Sequence, residues 1–268
     1  MKCFQDKIAI VTGGASGIGR AFATLLCRYG AKVTIADINA ALVEETAQKI
    51  GATAQVLDVT DAEAVAALVK GTADAHGHLD FMFNNAGIAV IGDALDMSLD
   101  DWNRLYDVNV RGVIHGVVAA YPIMAAQRSG HIVNTASVSG LIPAPGFAAY
   151  SGTKHAVVGM SVSLRAEAAY HGVRVSAVCP GFIDTPIKDN AKLLHIDREK
   201  IDAQPVPFYD VDACARDTMR GVAKNKQIIV VAQHAKAMST MNRYFPRFME
   251  WMAFRSHARN RQMKNSDG

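Results

Sequence analysis

Short runs of β-branched and other apolar residues recur seven times along the chain. Several runs are apolar at nearly every position, which is typical of parallel strands covered on both faces. Between them, apolar residues fall three or four positions apart, as at Ala21 and Leu25, which predicts amphipathic helices. This alternation predicts an α/β fold, a single doubly wound domain with a seven-stranded parallel sheet and helices on both faces. The predicted strands are KIAIVTG, AKVTIAD, TAQVLDV, LDFMFNN, GHIVNTAS, VRVSAVCPG and KQIIVVAQ.

The same pattern separates a long body from a short tail. Residues 1–235 hold all the strand patterns and no internal repeat, so we expect one domain there. Within it, residues 186–212 mix charged and apolar positions without a strand pattern. Residues 236–268 form the tail, where Pro246 is suited to the first position of a second helix. Apolar residues of the tail are spaced three and four apart, at Met238, Met241, Phe245, Phe248 and Met252.

Charge also distinguishes the tail. The net charge of +3 over 268 residues is too small to indicate nucleic-acid binding. Residues 236–268 carry 7 Lys+Arg against 2 Asp+Glu, a net charge of +5, which leaves −2 for residues 1–235. One interpretation is a peripheral membrane anchor with Trp251 and Phe254 at the interface. The other, which we favour, is docking on the protein's own body or on a neighbouring subunit.

The first residues and the cysteines bear on the compartment. The opening MKCFQDKIAIV lacks the long apolar stretch of a secretory signal, and no uninterrupted run of about 18 apolar residues predicts a membrane span. The cysteines are widely scattered and lack the spacing of a metal site. They are Cys3, Cys27, Cys179 and Cys214. We therefore expect a cytoplasmic protein with reduced thiols and no metal.

A glycine-rich stretch follows the first strand pattern. TGGASGIG, residues 12–19, leads directly into a helix pattern, so its backbone amides and the helix N-terminus can bind a pyrophosphate. Asp37 closes the second strand pattern 18 residues after Gly19, where the dinucleotide fingerprint requires an acidic residue. The pattern predicts a dinucleotide site that includes Gly13, Gly17, Ile18, Gly19 and Asp37.

Tyr150 and Lys154 are four positions apart in a segment with a helical pattern, so they share one face. A phenol has an ordinary pKa near 10 and is a poor base at neutral pH. A neighbouring ammonium group lowers that pKa because it favours the phenolate. We therefore expect Tyr150 to act as a general acid/base whose pKa is lowered by Lys154 together with the positive charge of a bound oxidised cofactor.

Together with Asn84-Asn85-Ala86-Gly87 after the fourth strand pattern, these motifs resemble the short-chain dehydrogenase/reductase family, which carries TGxxxGxG, NNAG and YxxxK in this order. The resemblance covers residues 6 to about 232 and implies a Rossmann-type catalytic and cofactor-binding domain. It assigns catalysis to Asn109, Ser137, Tyr150 and Lys154, with Ser139 a less favoured substitute for Ser137. It adds to the cofactor site Asp58, Val59, Asn85, Ala86, Gly87, Tyr150, Lys154, Pro180, Gly181, Ile183 and Thr185.

The cofactor preference depends on Asp37. A carboxylate there can accept hydrogen bonds from the adenosine ribose of NAD and repels the 2′-phosphate of NADP. Members of the resembled family that prefer NADP usually carry a basic residue before the second glycine of the loop or after the acidic position. This chain has Ser16 and Ile38 there, and both belong to the predicted cofactor site. We therefore expect NAD.

The resemblance implies an NAD-dependent oxidoreductase. Val90–Ile91, Leu141 to Phe147 and the lid at about 186–212 should line the substrate cleft, and the first two lack charge. This favours an apolar secondary alcohol, such as a hydroxysteroid, an alicyclic or a long-chain alcohol, and its ketone. Alternatives are an NADPH-dependent 3-oxoacyl-type reductase and a non-catalytic dinucleotide-binding regulator. In the resembled family the helices at 111–128 and 151–170 pair between subunits, so we expect a homodimer or homotetramer.

Overall fold

Parallel strands form the centre of the protein. The computed structural model describes residues 1–199 and 206–261. Its strands are β1 (Ile8–Thr12), β2 (Lys32–Asp37), β3 (Thr53–Val56), β4 (Phe81–Asn84), β5 (Val90–Ile91), β6 (Gly130–Thr135), β7 (Val173–Pro180), β8 (Lys192–Leu193) and β9 (Ile228–Val231). All except β5 and β8 form one seven-stranded parallel sheet in the order β3-β2-β1-β4-β6-β7-β9. The predicted seven-stranded doubly wound sheet is therefore confirmed.

Helices cover both faces of this sheet. They are α1 (Gly17–Arg28), α2 (Ala40–Ile50), α3 (Ala62–His76), α4 (Leu99–Tyr106), α5 (Gly112–Gln127), α6 (Ala148–Tyr170), α7 (Ile187–Asn190), α8 (Val211–Ala223), α9 (Gln233–Tyr244) and α10 (Pro246–Arg261). One apolar core packs α1, α2 and α8 on the sheet, and a second core packs α3, α5 and α6 on the opposite face. Because both faces are covered, every residue of β1 and β4 is buried.

Local signals in the sequence set the helix ends. The side chains of Asn39, Asp61 and Asp210 accept hydrogen bonds from the first-turn amides of α2, α3 and α8. Gly51 and Gly77 end α2 and α3 in the left-handed conformation, with φ of 73° and 77°. These caps fix the helices relative to the strands that carry the site.

One helical stretch has the length and composition of a membrane span. Leu99–Gln127 forms 29 continuous helical residues, and an 18-residue window within them has a mean hydropathy of 1.2, although the sequence pattern did not predict a span. The stretch comprises α4, a π-helical segment (Asp107–Arg111) and α5. Val113, Val117 and Met124 of α5 are buried in the core beneath the sheet. It is therefore a core helix of the α/β domain.

The three predicted substrate segments are joined by main-chain hydrogen bonds. β5 pairs in parallel with β8, which belongs to the predicted lid. Gly92 N, just after β5, donates to Gly146 O in the segment Leu141 to Phe147, at 2.9 Å. Within the lid, residues 200–205 lie outside the described residues. The sequence did not predict this pairing, because two-residue strands have no periodicity.

The tail forms α9 and α10, and Pro246 begins the second helix as predicted. One side of these helices packs on the domain: Ala235, Met238 and Met249 contact the apolar residues Val138 and Ile142. The apolar spacing predicted from the sequence does not coincide with this packed side. Most of the residues with that spacing are exposed, namely Met241, Phe245, Phe248 and Met252. The chain resumes α10 in a new direction after Pro246, so the spacing does not continue on one face.

Candidate active site

The predicted site residues lie together at the carboxyl ends of the sheet strands. A groove of about 760 Å³ runs along this edge, and its volume is within the usual range of ligand clefts, about 300–1,000 Å³. Every predicted cofactor residue lines the groove except Gly19, which lies beneath the loop. Of the predicted catalytic residues, Ser137, Tyr150 and Lys154 line it and Asn109 does not.

The glycine loop provides an anion site at the start of α1. Gly13 and Gly17 have φ of 62° and 52°, which favours glycine. A Cβ on Gly19 would lie 2.0 Å from Gly13 O, so the helix could not approach the loop so closely with a side chain there. Ser16 is the N-cap of α1, and its side chain makes no capping hydrogen bond. The first amides of α1 are therefore available to a phosphate.

Asp37 is held at the end of β2 by two main-chain amides. Ala15 N donates to its Oδ2 at 3.2 Å, and Asn39 N donates to its Oδ1 at 3.1 Å. The first of these bonds ties the carboxylate to the glycine loop. Asp37 thus presents a fixed negative charge in the same groove as the phosphate site, which fits a ribose diol.

The NNAG segment after β4 is fixed to the glycine loop. Asn85 Nδ2 donates to Thr12 O at 3.1 Å, and Thr12 Oγ1 accepts from Asn85 N at 3.0 Å. A Cβ on Gly13 would lie 2.8 Å from Ala86 Cα. The two loops therefore pack backbone to backbone and form one continuous floor of the groove.

Ser137, Tyr150 and Lys154 meet at the other end of the groove. Ser137 follows β6, whereas Tyr150 and Lys154 lie on α6. Lys154 is buried, and its Nζ donates to Thr135 O at 3.0 Å and lies 5.6 Å from the centre of the Tyr150 ring. Ser137 Oγ accepts from Ser139 N at 3.1 Å, so Ser139 positions Ser137 through its backbone.

In the protein without a ligand, the pKa of Tyr150 is not lowered; the expected lowering also involves the positive charge of a bound cofactor. Burial raises the pKa of Tyr150, and a hydrogen bond with Ser137 only opposes that rise. Burial also lowers the pKa of Lys154 to about 8, which weakens it as a cation. The physical reason is desolvation, which disfavours the charged form of both groups.

Asn109 lies in the π-helical segment and is fully buried. Its Oδ1 accepts from Ile88 N at 2.9 Å, and its Nδ2 donates to Ile88 O and Thr153 Oγ1 at 3.0 and 3.2 Å. The side chain therefore joins the loop after NNAG to α6. Its amide is used in these contacts, so its direct effect here is to hold the loop next to Lys154.

Sequence reasoning missed His234. His234 Nε2 accepts a hydrogen bond from Phe182 N at 2.9 Å, and the two rings stack with centroids 5.4 Å apart. A Cβ on Gly181 would lie 2.2 Å from His234 Nε2. The imidazole thus supports the segment after β7 that is predicted to receive the nicotinamide. No motif marks a histidine at the start of α9, because the contact is made across 52 residues.

A polar face formed by α4 and the first residue of the π-helical segment also lines the groove and was not predicted. Its residues are Asp100, Asn103, Arg104 and Asp107. Their i, i+3, i+4, i+7 spacing was the available signal. Conversely, Val90–Ile91 and Leu141 to Phe147 are not part of the groove lining, whereas Ile187 and Asn190 of the lid are.

Within the part of the chain that the structure describes, no group of three His, Cys, Asp or Glu could hold a metal ion.

Comparisons with known proteins agree with this geometry. An uncharacterized oxidoreductase of Staphylococcus epidermidis is 36% identical over 204 residues, which cover 75% of this chain and 88% of the relative. An uncharacterized oxidoreductase of Staphylococcus aureus is 39% identical over 209 residues, covering 77% of this chain and 90% of the relative.

Solved structures share the whole architecture. A short-chain dehydrogenase/reductase from Burkholderia phymatum in complex with NAD has a TM-score of 0.81 and 29% identity, covering 92% of this chain and 96% of that one. A 3-ketoacyl-(acyl-carrier-protein) reductase from Brucella melitensis complexed with NADH has a TM-score of 0.77 and 28% identity, covering 85% and 97%. The profile of the short chain dehydrogenases matches residues 7–193. The chain is therefore an oxidoreductase of the short-chain dehydrogenase/reductase family.

Proposed function

We propose that the protein is an NAD-dependent oxidoreductase that interconverts an apolar secondary alcohol and its ketone. The observation that carries the proposal is the meeting of Ser137, Tyr150 and Lys154 in the same groove as Asp37 and the glycine loop. When bound there, NAD supplies the hydride acceptor and a positive charge. The cofactor residues fit a dinucleotide because free helix amides and a fixed carboxylate lie along one groove.

Residues of this chain transfer the proton and bind the substrate oxygen. The Tyr150 phenolate takes the proton from the alcohol during oxidation, and the phenol that results returns it to the ketone oxygen during reduction. Ser137 donates a hydrogen bond to the substrate oxygen and stabilises charge that develops on it. Lys154, held by Thr135 O, stabilises the phenolate form of Tyr150 when protonated. Asn109 holds the neighbouring loop in place.

Tyr150→Phe tests this assignment, because it removes the hydroxyl and keeps the ring. We expect turnover to fall by roughly 10²–10⁴-fold while NADH binding, followed by nicotinamide fluorescence, stays unchanged. Tyr121→Phe on α5 is the matched control, since Tyr121 does not line the groove, and it should keep full turnover. Equal turnover in both variants would refute the role of Tyr150.

A second candidate is a 3-oxoacyl-type reductase. The likeness to the Brucella melitensis reductase, which was solved with NADH, favours it, and the charged face of α4 suits a polar substrate end. Turnover should be compared on apolar secondary alcohols and on 3-oxoacyl thioesters, each with both cofactors. Faster reduction of the thioesters would favour this candidate.

We further propose a cytoplasmic homodimer or homotetramer paired through α5 and α6. The support is an exposed apolar face on α5, where Val118 is 65% exposed and Ile114 is also exposed. Val118→Glu should dissociate the assembly in light scattering. An unchanged mass would refute this interface.

A further inference from the structure

We propose that the outer face of the tail helices binds a membrane surface rich in anionic lipid. This tail surface consists of Tyr244, Phe245, Phe248, Trp251, Met252 and Phe254 with the basic side chains Arg243, Arg247 and Arg255. The proposal goes beyond the proposed function and does not depend on it, since binding to vesicles is measured without turnover.

Docking of the tail on the domain leaves this surface outward. The inner side of α10 is fixed by Met249, which is buried against Ile142, and by His257, whose Nε2 lies 3.5 Å from Asp93 Oδ2. In α9, Asn242 Nδ2 donates to Leu141 O at 2.9 Å. Met249 and His257 are eight positions apart and so lie close to one side of the helix. The opposite side of α10 therefore faces solvent.

That outward side carries aromatic rings and arginines together. Trp251 is 51% exposed and stacks on Phe248 with centroids 5.8 Å apart. The Arg255 guanidinium lies 5.0 Å from the centre of the Trp251 ring. Phe254 is 69% exposed. Exposed Trp and Phe beside arginines form the composition of a helix that lies at a membrane interface, with rings at the acyl boundary and cations at the headgroups.

Charge complementarity selects anionic lipid as the partner. Residues 236–268 have a net charge of +5, and Glu250 is the acidic residue of α10. Basic residues near an anionic leaflet each contribute to binding, which weakens as salt is added.

The test uses the full-length protein with vesicles of phosphatidylcholine alone or with phosphatidylserine. We expect sedimentation with the phosphatidylserine vesicles, reversed by salt. Arg247→Glu should lower the affinity roughly tenfold or more, and Trp251→Ala with Phe254→Ala should abolish sedimentation. Matched controls are Lys224→Glu and Val56→Ala, both exposed and far from the tail along the chain, which should bind like wild type.

Tryptophan fluorescence gives a second readout, which needs no substitution in the tail surface. The chain has two tryptophans, so Trp102→Phe leaves Trp251 as the sole tryptophan. Its emission should shift to the blue when phosphatidylserine vesicles are added. No sedimentation and no shift would overturn the proposal. A second outcome would also overturn it: wild type does not bind vesicles, and the Trp251→Ala/Phe254→Ala variant loses the oligomer. The tail surface would then be an interface between copies of this chain.

Discussion

Asp37→Asn isolates the electrostatic part of the cofactor preference. The substitution removes the negative charge and keeps an oxygen that can accept one of the two hydrogen bonds from Ala15 N and Asn39 N. Two unit charges 4 Å apart repel by about 1 kcal/mol in water and about 4 kcal/mol at an effective dielectric constant of 20. Asp37 is partly exposed, so the repulsion of a 2′-phosphate lies between these limits.

The expected change is therefore a gain for NADP relative to NAD of roughly 5- to 1,000-fold, since about 1.4 kcal/mol corresponds to tenfold. Loss of one main-chain hydrogen bond should lower the free energy of unfolding by about 1 kcal/mol. The assay is the ratio of kcat/KM for NAD and NADP with one alcohol, together with thermal denaturation.

Asp212→Asn is the matched control, because Asp212 is exposed on α8 and does not line the groove. Its cofactor ratio should equal that of wild type. A ratio in Asp37→Asn that stays within about twofold of wild type would refute the electrostatic argument, because even the lower limit of repulsion, about 1 kcal/mol, predicts more. Equal use of both cofactors by wild type would refute the proposed preference for NAD itself.

Other substitutions test the site and its supports. Gly19→Ala should abolish NADH binding and cost about 1–3 kcal/mol of stability through overpacking, whereas Gly71→Ala, in an open helical position, should add about 0.5–1 kcal/mol in thermal denaturation. His234→Phe keeps the ring stack on Phe182 but loses the hydrogen-bond acceptor, so KM for NAD should rise roughly fivefold. His234→Gln should return KM to the wild-type value. Equal KM values in wild type and His234→Phe would exclude a role for this hydrogen bond. Hydrogen bonding to Lys192 holds the pKa of Asp101 below its usual value of 3.8. At pH values above 3.8, the free energy of unfolding should therefore be larger for wild type than for Asp101→Asn. The difference should vanish as the pH falls through the lowered pKa, measured by urea unfolding.

The sequence predicted the parts of the molecule that have local signals. Strand and helix periodicity gave the sheet, because parallel strands need apolar residues on both faces. The loop at Gly13 and the acid at Asp37 could be located because each follows a strand at a fixed spacing. Pro246 indicated the start of the last helix, because the fixed φ of proline suits the first position of a helix.

Contacts between distant segments could not be predicted in this way. His234 contacts the segment after β7, at Phe182, only because the tertiary fold brings the start of α9 there, and nothing near His234 in the chain indicates that contact. Sequence spacing indicates that Lys154 is near Tyr150 but not how deeply the two side chains are buried, and in the protein without a ligand burial raises the pKa of Tyr150. The outward position of Phe248 depends on the change of direction at Pro246 and on which side of α10 the domain covers.

The main-chain links between the three predicted substrate segments have a consequence for how freely their sequences can change. Gly92 N donates to Gly146 O, Lys192 N to Ala89 O and Leu194 N to Ile91 O. Because backbone atoms make these bonds, side chains in the three segments can be exchanged without separating them, except for proline, which removes a donor. A mutant library confined to these loops and free of proline should therefore yield folded proteins more often than one aimed at the groove floor.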